Sequence, residues 1–354
     1  MCLATLFLLP VGQSNLSTIP QQRKLSAEDI AQLQSKAAAG DPEAELRLGR
    51  VYERGDGIAA SSGKAYAWYR KAADQGNAEA EDRVGTMLRG GEGVEKDKAE
   101  AISWYRRAAR QQYPLAMFNL ATCFYNGDGL NVDDVSAYAW FLLAQEAGEP
   151  RANEALERME SEPPADRKIT AYIKVAEMYK AGGEIPHNDQ KAVLWYGKAA
   201  DAGSPLADVE LASMLLDGHG AAQSFPEALR RCEDAGEKKF SAGAFCAGAI
   251  YRDGLGVVQD QSEAARWFEK AAKLGHPQAM LNLGEMYWKG IGVTADNQTA
   301  YAWILLASTF SLPKAQDDLA QLKSEMTPKD VKKATQKATS LERALPPILT
   351  RRPS

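Results

Sequence analysis

The chain repeats itself every 36 residues, and that period restricts the folds open to it more than any other feature. The run from Leu48 and Gly49 to Gly55, Asp56 and Gly57 returns at Val84 to Gly93 and at Leu120 to Gly129. After a break, its small residue (Gly49, Gly85, Ala121) returns as Ala176, Ala212, Gly248 and Gly284, again 36 apart. Three units therefore precede the break and four follow it. Six residues after each small residue stands a glycine, and ten residues beyond that glycine an alanine, from Ala65 to Ala300. A second alanine follows seven residues on, from Ala72 to Ala307. Thirteen residues after the glycine stands a tryptophan: Trp68, Trp104, Trp140, Trp195, Trp267 and Trp303, with Arg231 the exception.

These offsets are helical. Ala44, Leu48 and Tyr52 and their equivalents form a stripe four residues apart, one face of a helix A. The Gly-x-Gly that follows supplies the backbone freedom for a helix C-terminus and a tight turn. Ala65, Trp68, Tyr69 and Ala72 stand at i, i+3, i+4 and i+7, one face of a helix B. A single hairpin cannot bury both stripes, so neighbours must stack and share a core. The expected fold is all-α: an α-solenoid of stacked antiparallel helix pairs, seven 36-residue repeats plus capping helices. The tryptophans are expected in its core, each contributing roughly 1.5–3 kcal/mol on burial.

The string Trp68-Tyr69-Arg70-Lys71-Ala72-Ala73, echoed at Trp195 to Ala200 and Trp267 to Ala272 behind a Tyr and a Gly-x-Gly, resembles the Sel1-like repeat family, relatives of the tetratricopeptide repeats. The resemblance spans about residues 40–325. It implies a non-enzymatic adaptor or regulatory scaffold that binds proteins or peptides in a concave groove, in a bacterial envelope or secreted setting. Two departures bear on packing. Arg231 and Cys232 replace Trp-Tyr in one unit, where looser packing is expected, and Glu184 replaces the second glycine of another, where the turn should differ.

The break marks an insertion near residues 149–168, with an extra helix from Arg151 to Met159. A matching pattern ends the chain: a helix from Pro313 to Met326, then Thr327 and Pro328 opening a last helix to about Glu342. Both follow a helix B reading Ala-Tyr-Ala-Trp, at Ala137 and at Ala300. The organisation expected is an apolar start and linker at 1–24, a first block at 25–160 (repeats at 40–75, 76–111 and 112–148 plus a cap), a second at 161–345 (166–202, 203–235, 236–274 and 275–311 plus caps), and a disordered tail at 346–354. A loop insertion within one solenoid is the alternative.

Composition removes several functional classes. With 42 basic against 47 acidic residues the chain has no basic field for nucleic acid. The apolar run from Cys2 to Val11 is too short to span a bilayer. It has the length of a signal-peptide core but lacks a preceding Lys or Arg, so it reads as an export signal, whole or truncated, or as an incidental apolar start. The expected location is periplasmic or secreted, with the cytoplasm as the alternative. His187, His219 and His276 are isolated, no Cys-x-x-Cys or Gly-x-Ser-x-Gly occurs, and Gly63-Lys64 lacks the rest of a phosphate loop. No cofactor, metal or catalytic residue is expected. Cys123 falls in helix A as a buried thiol, and Cys232 and Cys246 lie on successive helices, where a disulfide is sterically feasible but not required.

In helical solenoids helix A lines the recognition side. The residues two before and one after the small residue then face a partner, and Arg47, Arg50, Arg83, Thr86, Asn119 and Asn282 are the candidates. Arg47, Arg50 and Arg83 would pair with an acidic or carboxylate-bearing peptide. Other proteins or peptides are the expected partners of a monomeric chain. The runner-up is a cell-wall or glycan-binding module using Trp288, the tryptophan outside the repeat offset.

Overall fold

The computed structural model describes residues 24–161 and 166–346, and all its regular elements are helices. They are α1 (Ala27–Ala38), α2 (Pro42–Arg54), α3 (Ser62–Asp74), α4 (Ala78–Gly90), α5 (Lys98–Arg110), α6 (Pro114–Asn126), α7 (Asp134–Glu146), α8 (Arg151–Glu160) and α9 (Arg167–Ala181). Then follow α10 (Asp189–Asp201), α11 (Pro205–Asp217), α12 (Phe225–Glu237), α13 (Ser241–Asp253), α14 (Gln261–Lys273), α15 (Pro277–Lys289), α16 (Asn297–Ser308), α17 (Pro313–Glu325) and α18 (Pro328–Ala344). The expected A and B helices are all present. The apolar start, most of the linker and most of the tail lie outside the described residues.

The chain divides into two compact units, residues 1–187 and 188–354. In the first, α2/α3, α4/α5 and α6/α7 form three A/B pairs, preceded by α1 and closed by α8 and α9, both packed on α7. In the second, α10 packs on α11, the pairs α11/α12, α13/α14 and α15/α16 follow, and α17 and α18 close it on α16. The division thus separates the A and B helices of the fourth repeat, α9 and α10, whereas the sequence places the boundary at residue 161.

Local chemistry explains the recurrent residues. Each B helix in the first unit starts at Ser61, Asp97 or Asp133, whose side chain accepts a backbone N–H of the first turn. The first glycine of each Gly-x-Gly ends helix A in the left-handed conformation, as Gly91 does at φ +79°. The second glycine meets the preceding B-type helix: a Cβ on Gly93 would lie 2.3 Å from the carbonyl carbon of Ser62. The small residue of helix A makes room for helix B's aromatic ring, since a Cβ on Gly49 would stand 2.5 Å from Tyr69 and one on Gly248 2.8 Å from Phe268. In four repeats the cation three residues after the tryptophan lies over the indole: Lys71 over Trp68, Arg107 over Trp104, Lys198 over Trp195, Lys270 over Trp267. Trp104, Trp140, Trp195 and Trp303 are buried, as expected, while Trp68 and Trp267 are half-buried.

Helix α1 lies outside the expected set. It takes the place of a B helix, with no A helix before it among the described residues: Leu33 stands where Tyr69 stands one period later, and with Ala37 it packs on Ala44, Leu48 and Val51. The two closing devices also match each other. Lys174 of α9 bonds Ser136 and pairs with Asp133 at 3.7 Å, and Lys337 of α18 bonds Thr299 and pairs with Asp296 at 3.6 Å. In each, the lysine lies 38 residues after its hydroxyl partner.

Both departures take definite form. At the unit with Glu184, Gly182 ends α9 at φ 70°, ψ −164° instead of the usual left-handed cap, and the loop turns onto α5. There Arg110 Nε donates to the Gly183 carbonyl at 2.9 Å and Arg106 pairs with Glu184 at 3.4 Å. At the unit without tryptophan, α11/α12, polar and covalent bonds stand in for the ring. Arg231 pairs with Asp201, Asp208 and Glu227 at 2.9–3.2 Å, and Cys232 forms a disulfide with Cys246 of α13.

Candidate partner-binding surface

The structure spends several of the sequence-chosen side chains on contacts between successive A helices. Arg50 of α2 pairs with Glu79 of α4, its Nε donating to Oε1 at 3.1 Å. Arg83 of α4 pairs with Glu53 of α2 at 3.8 Å, and Glu53 also accepts the Tyr69 hydroxyl at 2.6 Å. Burial and the Glu53 carboxylate push the Tyr69 phenol well above its ordinary pKa, so the hydroxyl stays a donor. Thr86 shares a hydrogen bond with the Tyr105 hydroxyl at 3.2 Å. Asn282 accepts from Gln278 at 3.0 Å. Arg47 is exposed and makes no hydrogen bond or ion pair with any described residue.

Asn119 is a correction. It is buried at 8% exposure, its amide donating to Asp82 Oδ1 at 2.7 Å, so it belongs to the interface between α4 and α6 and offers no surface. Asp82 occupies the apolar column of Leu46 and Phe118, and a carboxylate there needs a buried partner.

Burial raises the Asp82 pKa from 3.8 to about 6. The folded state therefore holds this proton more tightly than the unfolded chain. The resulting stabilisation is complete below pH 3.8 and is lost as pH rises through about 6. Asp82→Asn keeps the acceptor for Asn119 and removes the charge. Its thermal midpoint at pH 7.5 should exceed that of the parent, by roughly 1–3 kcal/mol of stability, since a tenfold change in proton affinity is worth about 1.36 kcal/mol. The gap should close towards pH 4. A constant gap across that range would show that Asp82 is not the titrating group.

Three clefts of this face lie at one repeat position. In the column of Tyr69, Tyr105, Phe141, Tyr196, Cys232, Phe268 and Ile304, the Tyr69 and Tyr105 hydroxyls bond to A-helix side chains. Leu33 and Phe268 have no hydroxyl, and beside them lie clefts of about 370 Å³ and 300 Å³. Phe141 also lacks one, but Ala155, Arg158 and Met159 of α8 leave only about 10 Å³ there. At Cys232 the disulfide holds the position.

The two larger clefts differ in charge. The one beside Phe268, in the second unit, carries Arg252, Asp253, Glu285 and Lys289 on its rim, paired as Arg252–Asp253 at 2.7 Å and Lys289–Glu285 at 3.5 Å. The one beside Leu33, in the first unit, carries Arg47, Arg50 and Arg54 with Asp56. Arg54 is absent from the sequence-chosen set, although it continues the Arg47, Arg50 face at i+7.

Trp288 is half-buried against the C-terminal core, and its indole N–H donates to Glu325 at 2.9 Å. No described helix is long and apolar enough to cross a membrane.

The Sel1 repeat family model matches residues 42–77, 78–113, 114–149, 169–204, 244–276 and 277–309. The stretch it passes over contains α11/α12, the pair built on Arg231 and the disulfide. Solved structures similar to the chain include a protective antigen of uropathogenic Escherichia coli displaying an SLR fold, at 26% identity over 92% of this chain and 75% of that one, with a TM-score of 0.47. A Sel1 repeat protein from Oxalobacter formigenes follows at 25% identity over 69% and 90%, TM-score 0.33. One from Klebsiella pneumoniae follows at 20% over 63% and 99%, TM-score 0.31. No curated protein sequence matches the chain.

Proposed function

Since the chain belongs to the Sel1 repeat family, whose members generally mediate protein–protein interaction, we propose that it is a non-enzymatic scaffold that holds partner polypeptides against its A helices. The observation that carries this reading is the recurrence of clefts at one position of the repeat, beside Leu33 and beside Phe268, on the face where helix A side chains meet. A repeat that stacks must bury its stripes, and what it leaves to a partner is this face. The glycan-binding alternative draws less support, because the Trp288 indole is already bonded to Glu325.

We place the protein in an exported, oxidising compartment. The Cys232–Cys246 bridge supports that placement, because disulfides persist in such compartments and are rare in a reducing cytosol.

The test uses the protein that co-isolates with the tagged chain from its native cells. Arg47→Glu combined with Ser213→Arg changes the A-helix face at exposed positions; Ser103→Arg combined with Arg266→Glu changes exposed positions on B helices. Co-isolation should fall at least tenfold with the first pair and persist with the second. The reverse pattern, or equal retention, would refute the reading.

A further inference from the structure

We propose that the cleft beside Leu33 binds a carboxylate adjoining an apolar side chain of a partner polypeptide. The proposal rests on the protein-binding reading and gives one site its ligand chemistry. Arg47, Arg50 and Arg54 project from one face of α2, at i, i+3 and i+7. Glu79 takes Arg50, whereas Arg47 and Arg54 are exposed and make no hydrogen bond or ion pair with any described residue. Two guanidinium forks therefore remain for a ligand, and this group matches a carboxylate with two parallel N–H donors.

Charge and wall narrow the choice. Glu79 and Asp56 offset two of the three arginines, leaving about one positive charge, which suits a monoanion better than a phosphate dianion. Leu25, Leu33 and Val51 give the cleft an apolar wall beside the arginines, so the residue carrying or preceding the carboxylate should be apolar. Residues 1–23 contain no Asp or Glu, so the chain's own N-terminal stretch supplies no carboxylate side chain. Arg83, one of the three arginines expected from the sequence to share this role, is paired with Glu53 and is replaced in it by Arg54.

Fluorescence anisotropy with three dye-labelled peptides at low salt tests the proposal on the full chain. One peptide ends in leucine with a free carboxylate, one is its amide, and one has both ends blocked and an internal Asp-Leu. At least one carboxylate peptide should bind and the amide should not; which one binds tells a chain terminus from an acidic side chain. Arg47→Gln and Arg54→Gln should each weaken binding about tenfold, one lost charge-assisted contact. Asp56→Asn should strengthen it, and Arg83→Gln should leave it unchanged. Leu33→Tyr, which restores the tyrosine of the column, should close the cleft and abolish binding. The proposal is overturned if neither carboxylate peptide binds more tightly than the amide, or if the Arg47→Gln, Arg54→Gln double variant binds like the parent. Either result, alongside partner co-isolation that still depends on the A-helix face, would remove this site and leave the protein-binding reading standing.

Discussion

Gly93→Ala should destabilise the first unit by about 3–5 kcal/mol, the combined cost of backbone strain and overpacking at one residue. Gly93 sits at φ +73°, where an L side chain is strained, and the added Cβ would lie 2.3 Å from the Ser62 carbonyl carbon and 2.5 Å from the Gly63 nitrogen. Those atoms are the backbone at the start of α3, which cannot step aside without tilting the helix. Two other glycines calibrate the effect. Gly76, at φ +86° with nothing within 4 Å of an added Cβ, should lose only about 1–2 kcal/mol as alanine. Gly91, at φ +79° with the Lys96 Cβ at 3.3 Å and the Lys96 backbone no nearer than 3.8 Å, should fall close to Gly76. Thermal melts give the order, and hydrogen exchange should place the added opening at α3, α4 and α5. Equal losses for Gly93→Ala and Gly76→Ala would mean that the close approach between repeats is not what selects the second glycine.

Reducing the Cys232–Cys246 bridge should destabilise the second unit by about 3 kcal/mol, the loop-closure value for a loop of about 15 residues. The Cα atoms are 5.6 Å apart, within the range a disulfide spans, and the cysteines are 14 residues apart in sequence. The effect should be specific, because Cys232 stands in the column that carries an aromatic ring in five other repeats, and the pair α11/α12 has no tryptophan to compensate. Exchange protection in α11, α12 and α13 should drop on reduction while the first unit is unchanged. The Cys232→Ala, Cys246→Ala double variant should behave like the reduced protein and be insensitive to reductant. Alkylation of both cysteines before any reduction, or a melt indifferent to reductant, would contradict this account.

The repeat is legible because stacking imposes it. The small residue, the two glycines, the alanines and the tryptophans each answer to a contact that recurs, so fixed offsets alone locate A and B helices. The extra helix at Arg151 is readable from its local apolar spacing, with Ala152, Leu156 and Met159 on one face, and the terminal helix from its Thr327 cap and the proline that follows. Helix α1 escapes a period traced from the helix A glycines, because no such glycine pattern stands before it in the sequence. Its signals are present all the same: Ser26 and Asp29 form a capping box, and Leu33 and Gly40 keep the register of Tyr69 and Gly76.

The surface is less legible because the repeat fixes which positions meet but not which side chains stand there: Arg50 meets Glu79 29 residues on, and the same two positions carry Glu285 and Lys314 with the charges exchanged. Asn119 misleads for a similar reason, as its neighbour Asp82 interrupts an apolar column and draws the amide inward. The two larger clefts lie beside Leu33 and Phe268, which lack the hydroxyl of the tyrosine column, but Phe141, Cys232 and Ile304 lack it too, so the column alone does not locate them.

The most direct measurement is site-specific photo-cross-linking in the native cell, with the cross-linker placed in turn at Thr86, Ser213 and Asn282 on A helices and at Ser103 and Arg266 on B helices. The account predicts adducts with a shared partner from the first three positions and none from the last two. Adducts formed only from Ser103 and Arg266, or with equal yield from both sets, would contradict it.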